Sequence, residues 1–136
     1  MFRLLFLSVL VSTCALMSAC GDDSTPTTPV TPAVQISETY AGTIGINGAA
    51  THTFITMDAG QAGATLTALS PDSAAIVSFA MGVWNGQYCA ITLAKDDATT
   101  GQNLVGNASQ GSFCVRVADI GRLTAPTDYV ITVSHF

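Results

Sequence analysis

Charge is what this chain has least of. Of its 136 residues only 10% are charged, against about 25% in an average soluble domain. Lysine and arginine number 4, scattered at Arg3, Lys95, Arg116 and Arg122. Nucleic-acid binders cluster such residues into a phosphate-neutralising footprint, so that class is excluded. A polybasic membrane patch is excluded on the same ground. Glu38 is the sole glutamate, which removes a paired-glutamate glycosidase and leaves only an aspartate pair open. His52 and His135 are the only histidines, and neither lies in a His-Glu-x-x-His or a paired His/Cys spacing. A Gly-x-Ser-x-Gly elbow is missing, as is Cys-x-x-Cys. Gly111-Ser112-Phe113-Cys114 reads as a strand entry, and Gly42, Gly45 and Gly48 fall in a hairpin, not in a phosphate loop before a helix. The chain is expected not to be an enzyme.

Long hydrophobic runs are missing too. The longest candidate, Leu4 to Met17, is broken by Ser8, Ser12 and Thr13 and is soon followed by Gly21-Asp22-Asp23. A transmembrane helix needs about 20 apolar residues. The layout is that of an export signal instead: Arg3 as the n-region, an apolar h-region, then small Ser18 and Ala19 before Cys20. A cysteine at that point resembles the lipobox of bacterial lipoproteins, with Met17 where the family usually has Leu. The resemblance implies diacylation of the Cys20 thiol, removal of residues 1–19 and acylation of the new amine. A plain secretory signal or an uncleaved anchor would leave Cys20 without a role or lack the length to span. Cys14 is a poorer acceptor, because Thr13 precedes it and the h-region would be cut short. One acyl chain holds a protein only marginally, whereas two or three make release negligible. Gly21, not Asp, follows the cysteine, which by the same resemblance favours the outer membrane. The protein is thus expected to be lipid-anchored in a bacterial cell envelope.

Loss of the signal removes Arg3, leaving three basic residues against nine acidic ones, and the net charge moves from -5 to -6. Residues 20–34 read as the acylated cysteine and a tether. Pro26, Pro29 and Pro32 favour extended backbone, and the intervening Ser and Thr residues bury nothing. At about 3 Å per residue the tether reaches roughly 40 Å. Residues 35–136 then form one domain, a length that supports an adequate core.

Within it, Asn47-Gly48 and Asn85-Gly86 lie between β-rich runs, and Asn-Gly is a strong hairpin signal. Eight strands are expected, at about 38–46, 50–58, 62–69, 75–84, 87–94, 102–108, 112–119 and 127–135. Val77, Phe79, Met81 and Val83 alternate onto one side, as do Phe113, Val115 and Val117, and Tyr129, Ile131 and Val133. Period-two patterning means sheets with one buried face. Short strands with turns at this spacing suggest a sandwich over a closed barrel. The expected fold is an all-β, eight-stranded antiparallel, jelly-roll-like β-sandwich.

Phe54, the turn at Gly60 and Leu66-Thr67-Ala68-Leu69-Ser70-Pro71 resemble the first half of bacterial pre-peptidase C-terminal domains. Cys114-Val115-Arg116-Val117-Ala118-Asp119-Ile120-Gly121, with Tyr129-Val130-Ile131-Thr132-Val133, resembles their second half. The likeness covers residues 37–136 and implies a jelly-roll-like sandwich. No catalytic domain precedes it in this sequence, so the accessory role of such domains beside a peptidase does not transfer.

Four kinds of chemistry remain. Cys89 and Cys114 are an even thiol pair in an exported domain and are expected to form a disulfide. Alternation puts Cys114 with Arg116 but Cys89 with Ile91 and Leu93, so the bridge is expected near a strand end. Asp96 and Asp97, followed by Thr99 and Thr100, offer part of the oxygen set of a calcium ion, set against a plain solvated acidic loop. Asp58, Asp72 and Asp119 are expected to cap local amides. Trp84 and Tyr88 flank the Asn85-Gly86 turn and are the candidate contact residues for a protein or polysaccharide ligand, unless Trp84 closes the core. The expected function is a non-enzymatic binding module on a lipoprotein, with a structural or assembly role through an envelope partner as the alternative. A small hydrolase is a distant third.

Overall fold

The computed structural model describes residues 31–136. The expected signal segment, Cys20 and the expected tether up to residue 30 lie outside the described residues. Residues 31–35 are exposed coil leading into eight strands. These are β1 (Ile36–Ile44), β2 (Ala49–Thr56), β3 (Gly60–Ser70), β4 (Val77–Trp84), β5 (Cys89–Ala98), β6 (Asn103–Ala108), β7 (Gly111–Ala118) and β8 (Thr127–His135). They form two four-stranded antiparallel sheets, in the orders β1-β8-β3-β6 and β2-β7-β4-β5. Strands pair as nested hairpins: β4 with β5, β3 with β6, β2 with β7 and β1 with β8. A long hairpin folded over in this way is the jelly-roll arrangement of a double-sheet sandwich.

The alternation read from sequence sets the core. Phe79, Val77, Val115, Val117, Leu66, Ile131 and Val133 are fully buried between the sheets. Val83 is the exception on its strand: it faces inward but sits at the open end, 43% exposed. The sides of the sandwich close differently. On one side Leu93 of β5 reaches over Gly106 of β6. On the other side, edge strands β1 and β2 face each other across a seam of polar and aromatic residues described below.

Two Asn-Gly pairs mark turns, as their chemistry requires. Asn47 adopts φ 55°, and the Gly48 amide donates to the Gly45 carbonyl at 2.9 Å. At the second turn the Asn85 side-chain oxygen accepts the amides of Gln87 and Tyr88. That loop runs through Tyr88, so β5 begins at Cys89, later than the sequence pattern suggests. Register fixes the two ends. Ile36 pairs with His135, Gly60 with Ala108, Thr56 with Gly111, and Trp84 with Cys89. Chain entry, chain exit, the 57–59 and 109–110 turns and the β4–β5 hairpin therefore share one end, called here the hairpin end. The 45–48, 71–76, 99–102 and 119–126 connections form the far end.

Candidate functional site

The β4–β5 hairpin carries the two residues singled out from sequence. Tyr88 is 61% exposed. Trp84 is partly buried and does not belong to the core cluster. Its register explains why. Val83 pairs with Phe113, which packs against the core, so Trp84 points to the outer face of its sheet, as Gly82 and Cys114 do.

Cys89 and Cys114 form a disulfide with Cα atoms 5.8 Å apart, although β4 lies between their strands. Two local features make this reach available. A bulge at Thr92 shifts the β5 register, so that Met81 pairs with Leu93 but Gly82 with Ile91. Ile91 and Cys89 thereby turn to the outer face while Leu93 stays inside. Strict alternation, which placed all three together, fails at this extra residue. Gly82 supplies the second feature: a Cβ there would stand 2.1 Å from the Ala90 carbonyl oxygen. Only a residue without a side chain lets β5 close in over β4. Trp84, the bridge and exposed Ile91 thus share one outer surface with Ile55, which is 59% exposed.

The β1–β2 seam gathers the titratable side chains that sequence spacing kept apart. Glu38 and Tyr40 point inward from β1, His52 from β2, and Tyr129 and His135 from β8. The His52 Nε2 lies 2.7 Å from the Tyr129 hydroxyl. The His52 ring stacks on Tyr40 with centroids 4.8 Å apart. The Tyr40 hydroxyl meets the Glu38 carboxylate and lies 3.1 Å from the Thr53 carbonyl oxygen. Glu38 also receives the His135 Nε2 at 3.1 Å, with His135 only 1% exposed. Tyr129 fits because its partner Gly42 has no Cβ, which would sit 2.6 Å from the hydroxyl. Burial lowers the His52 pKa and raises that of Tyr129. Burial, the hydrogen bond to Glu38 and its negative charge hold the Tyr40 phenol protonated far above its usual range. Among the described residues, no buried side-chain nitrogen or oxygen lacks a hydrogen-bond partner. The seam's groups are therefore spent on each other, which makes it a closure between sheets. Of these residues only Tyr129 was placed inward by alternation, and the meeting of β1, β2 and β8 was not legible.

Asp96 and Asp97 lie in strand β5, not in a loop, and they are engaged separately. The Ser78 hydroxyl donates to Asp96 at 2.7 Å. Lys95 pairs with Asp97 at 3.1 Å and holds its carboxyl below the usual range. Among the described residues no group of three His, Cys, Asp or Glu side chains is placed to hold a metal ion, so no third carboxylate joins this pair. Amide capping is found at Asp72, which accepts the Ala74 N–H at 2.8 Å, and most fully at Asp119. One Asp119 oxygen accepts the amides of Gly121, Arg122 and Leu123, and the other that of Asn47 at 2.8 Å. Those bonds, that from Asn47 foremost, hold its carboxyl below the ordinary value of 3.8. Beside this loop is a cleft of about 170 Å³ lined by Pro71, Asp72, Arg122 and Pro126 among others, too small for most ligands. No protein-family model matches the chain, and no curated protein matches it in sequence.

Proposed function

We propose that this chain is a cell-envelope lipoprotein, anchored through acylated Cys20, that presents its sandwich as a non-enzymatic binding module. The observation that carries the reading is the order Arg3, apolar Leu4–Met17, Ser18-Ala19, Cys20, then the Pro/Thr-rich tether. Support for an oxidising compartment comes from the Cys89–Cys114 disulfide. The jelly-roll strand order is the one implied by the resemblance to pre-peptidase C-terminal domains, and we place the domain with that type. The hairpin residues Trp84 and Tyr88 are the contact elements: an aromatic pair outside the core, at the end of a rigid scaffold. A role as an assembly lipoprotein uses the same surface with an envelope protein as ligand.

The test is metabolic labelling with a palmitate analogue in the producing cell. The wild-type chain should take the label and Cys20→Ser should not. Equal labelling of both would overturn the anchoring.

A further inference from the structure

The two ends of the sandwich differ in character. Most of the exposed large apolar side chains lie at the hairpin end, Ile36, Ile55, Met57, Val83, Tyr88 and Ile91, whereas Ile46 and Ile120 are the two exposed at the far end. Met57 and Tyr88 are each more than 60% exposed, and Trp84 lies among them. Charged side chains of the described residues at this end are few, Asp58 and half-exposed Glu38. Toward the far end lie Asp72, Asp96, Asp97, Asp119 and Asp128, with Lys95 and Arg122. Scattered exposed hydrophobics are ordinary, but a gathered set marks a contact surface. The third observation is where the chain enters. Residues 31–35 lead into β1 at Ile36, which pairs with His135. The preceding chain, with Cys20 on it, thus joins the domain at the apolar end.

We propose that the hairpin end rests on the bilayer interface, with Trp84, Tyr88 and Met57 in contact with lipid and the acidic end turned outward. This rests on the lipoprotein reading above, and it names the partner of the same surface. Trp and Tyr favour the membrane–water boundary because the ring is apolar and its N–H or O–H stays wet. Anionic lipids repel the acidic end within a Debye length, which sets the orientation. A weak contact suffices, because a covalent anchor only about fifteen residues away converts docking into an intramolecular step at about millimolar effective concentration.

Trp84 is the only tryptophan, so its fluorescence reports this surface alone. The acylated full chain is reconstituted into phosphatidylcholine–phosphatidylglycerol vesicles, with plain or brominated acyl chains. Brominated vesicles should quench Trp84 strongly. The double variant Met57→Asp, Tyr88→Asp should lose that quenching while keeping the wild-type near-UV circular dichroism. Ile46→Asp, at the far end, should retain it. Equal emission in both vesicle types, from protein that carries the palmitate label, overturns docking and leaves the anchor standing. Quenching of unlabelled Cys20→Ser chain by added vesicles supports docking by itself. Unchanged quenching in a folded double variant overturns the assignment of this end. Crosslinking of Trp84's surroundings to an envelope protein, without quenching, assigns the surface to that protein and also overturns docking.

Discussion

The far end and the hairpin end join strands by different chemistry. At the far end a single carboxylate, Asp119, accepts four backbone amides and ties the β7–β8 loop to the β1–β2 turn. At the hairpin end a covalent bond ties β5 to β7 across β4. The first closure spends polar groups on backbone amides and is sensitive to protons. The second is sensitive to reductant. That difference accompanies an exposed Tyr88 and a partly buried Trp84 at the hairpin end, while the far end is bound up in its own hydrogen bonds.

Of the two closures, the covalent one should have the larger effect when broken. Cys89→Ala with Cys114→Ala opens a loop of sequence separation 25, which should cost about 3 kcal/mol by the chain-entropy estimate. Urea unfolding measures it, and a loss near zero would mean the strand pairing alone holds β5. Gly82→Ala sharpens the point. Its Cβ collides with the Ala90 carbonyl, so the variant should yield free thiols by intact mass under conditions where the wild type is bridged.

The carboxylate closure should come next, and pH separates it from the seam. Asp119 has a folded pKa below its ordinary 3.8. Its contribution is therefore complete above that value and is lost as pH falls through the folded pKa. His52 also has a lowered pKa, from burial, against an ordinary 6.5. The unfolded chain then takes up its proton first, so stability begins to fall as pH drops below about 6.5. Two acid steps are expected in the unfolding midpoint. Asp119→Asn should remove the lower step, since an amide cannot accept on both sides, and it should weaken the fold at neutral pH. His52→Phe should remove the upper step. A single step unaffected by either change would show that other groups set the acid response.

Most of the strands and their inward faces could be read from sequence because period-two alternation and Asn-Gly turns are local signals. The core residues Phe79, Val115 and Ile131 followed directly. What was hidden needed non-local register. The Thr92 bulge reverses the facing of Cys89 and Ile91, and no residue type announces it, so the disulfide was legible as a pair but not as a geometry. Nothing in the sequence marks Gly82 or Gly42; each is required only because Ala90 and Tyr129 come to lie over it. The seam of Glu38, Tyr40, His52, Tyr129 and His135 was invisible as a unit, since it is assembled by the pairing of β1 with β8 and the stacking of β1 on β2. Asp96 and Asp97 read as a loop because acidic pairs usually interrupt strands, whereas here β5 continues to Ala98.

The smallest effect on stability is expected at Trp84, the residue proposed above as a contact. Trp84 is outside the core cluster and faces away from it. Trp84→Ala should cost about 1 kcal/mol or less, as substitutions away from the core do. Phe79→Ala, at a fully buried position on the same strand, should cost about 3–5 kcal/mol. The two variants compare the outer and inner faces of β4 within one sheet, so strand propensity largely cancels. Urea unfolding monitored by circular dichroism gives both numbers, because fluorescence is lost with the only tryptophan. If Trp84→Ala proves as damaging as Phe79→Ala, the ring is a structural cover over the Cys89–Cys114 bridge. The exposed partner at this end would then be Tyr88 alone, and the contact surface would centre on Met57 and Tyr88.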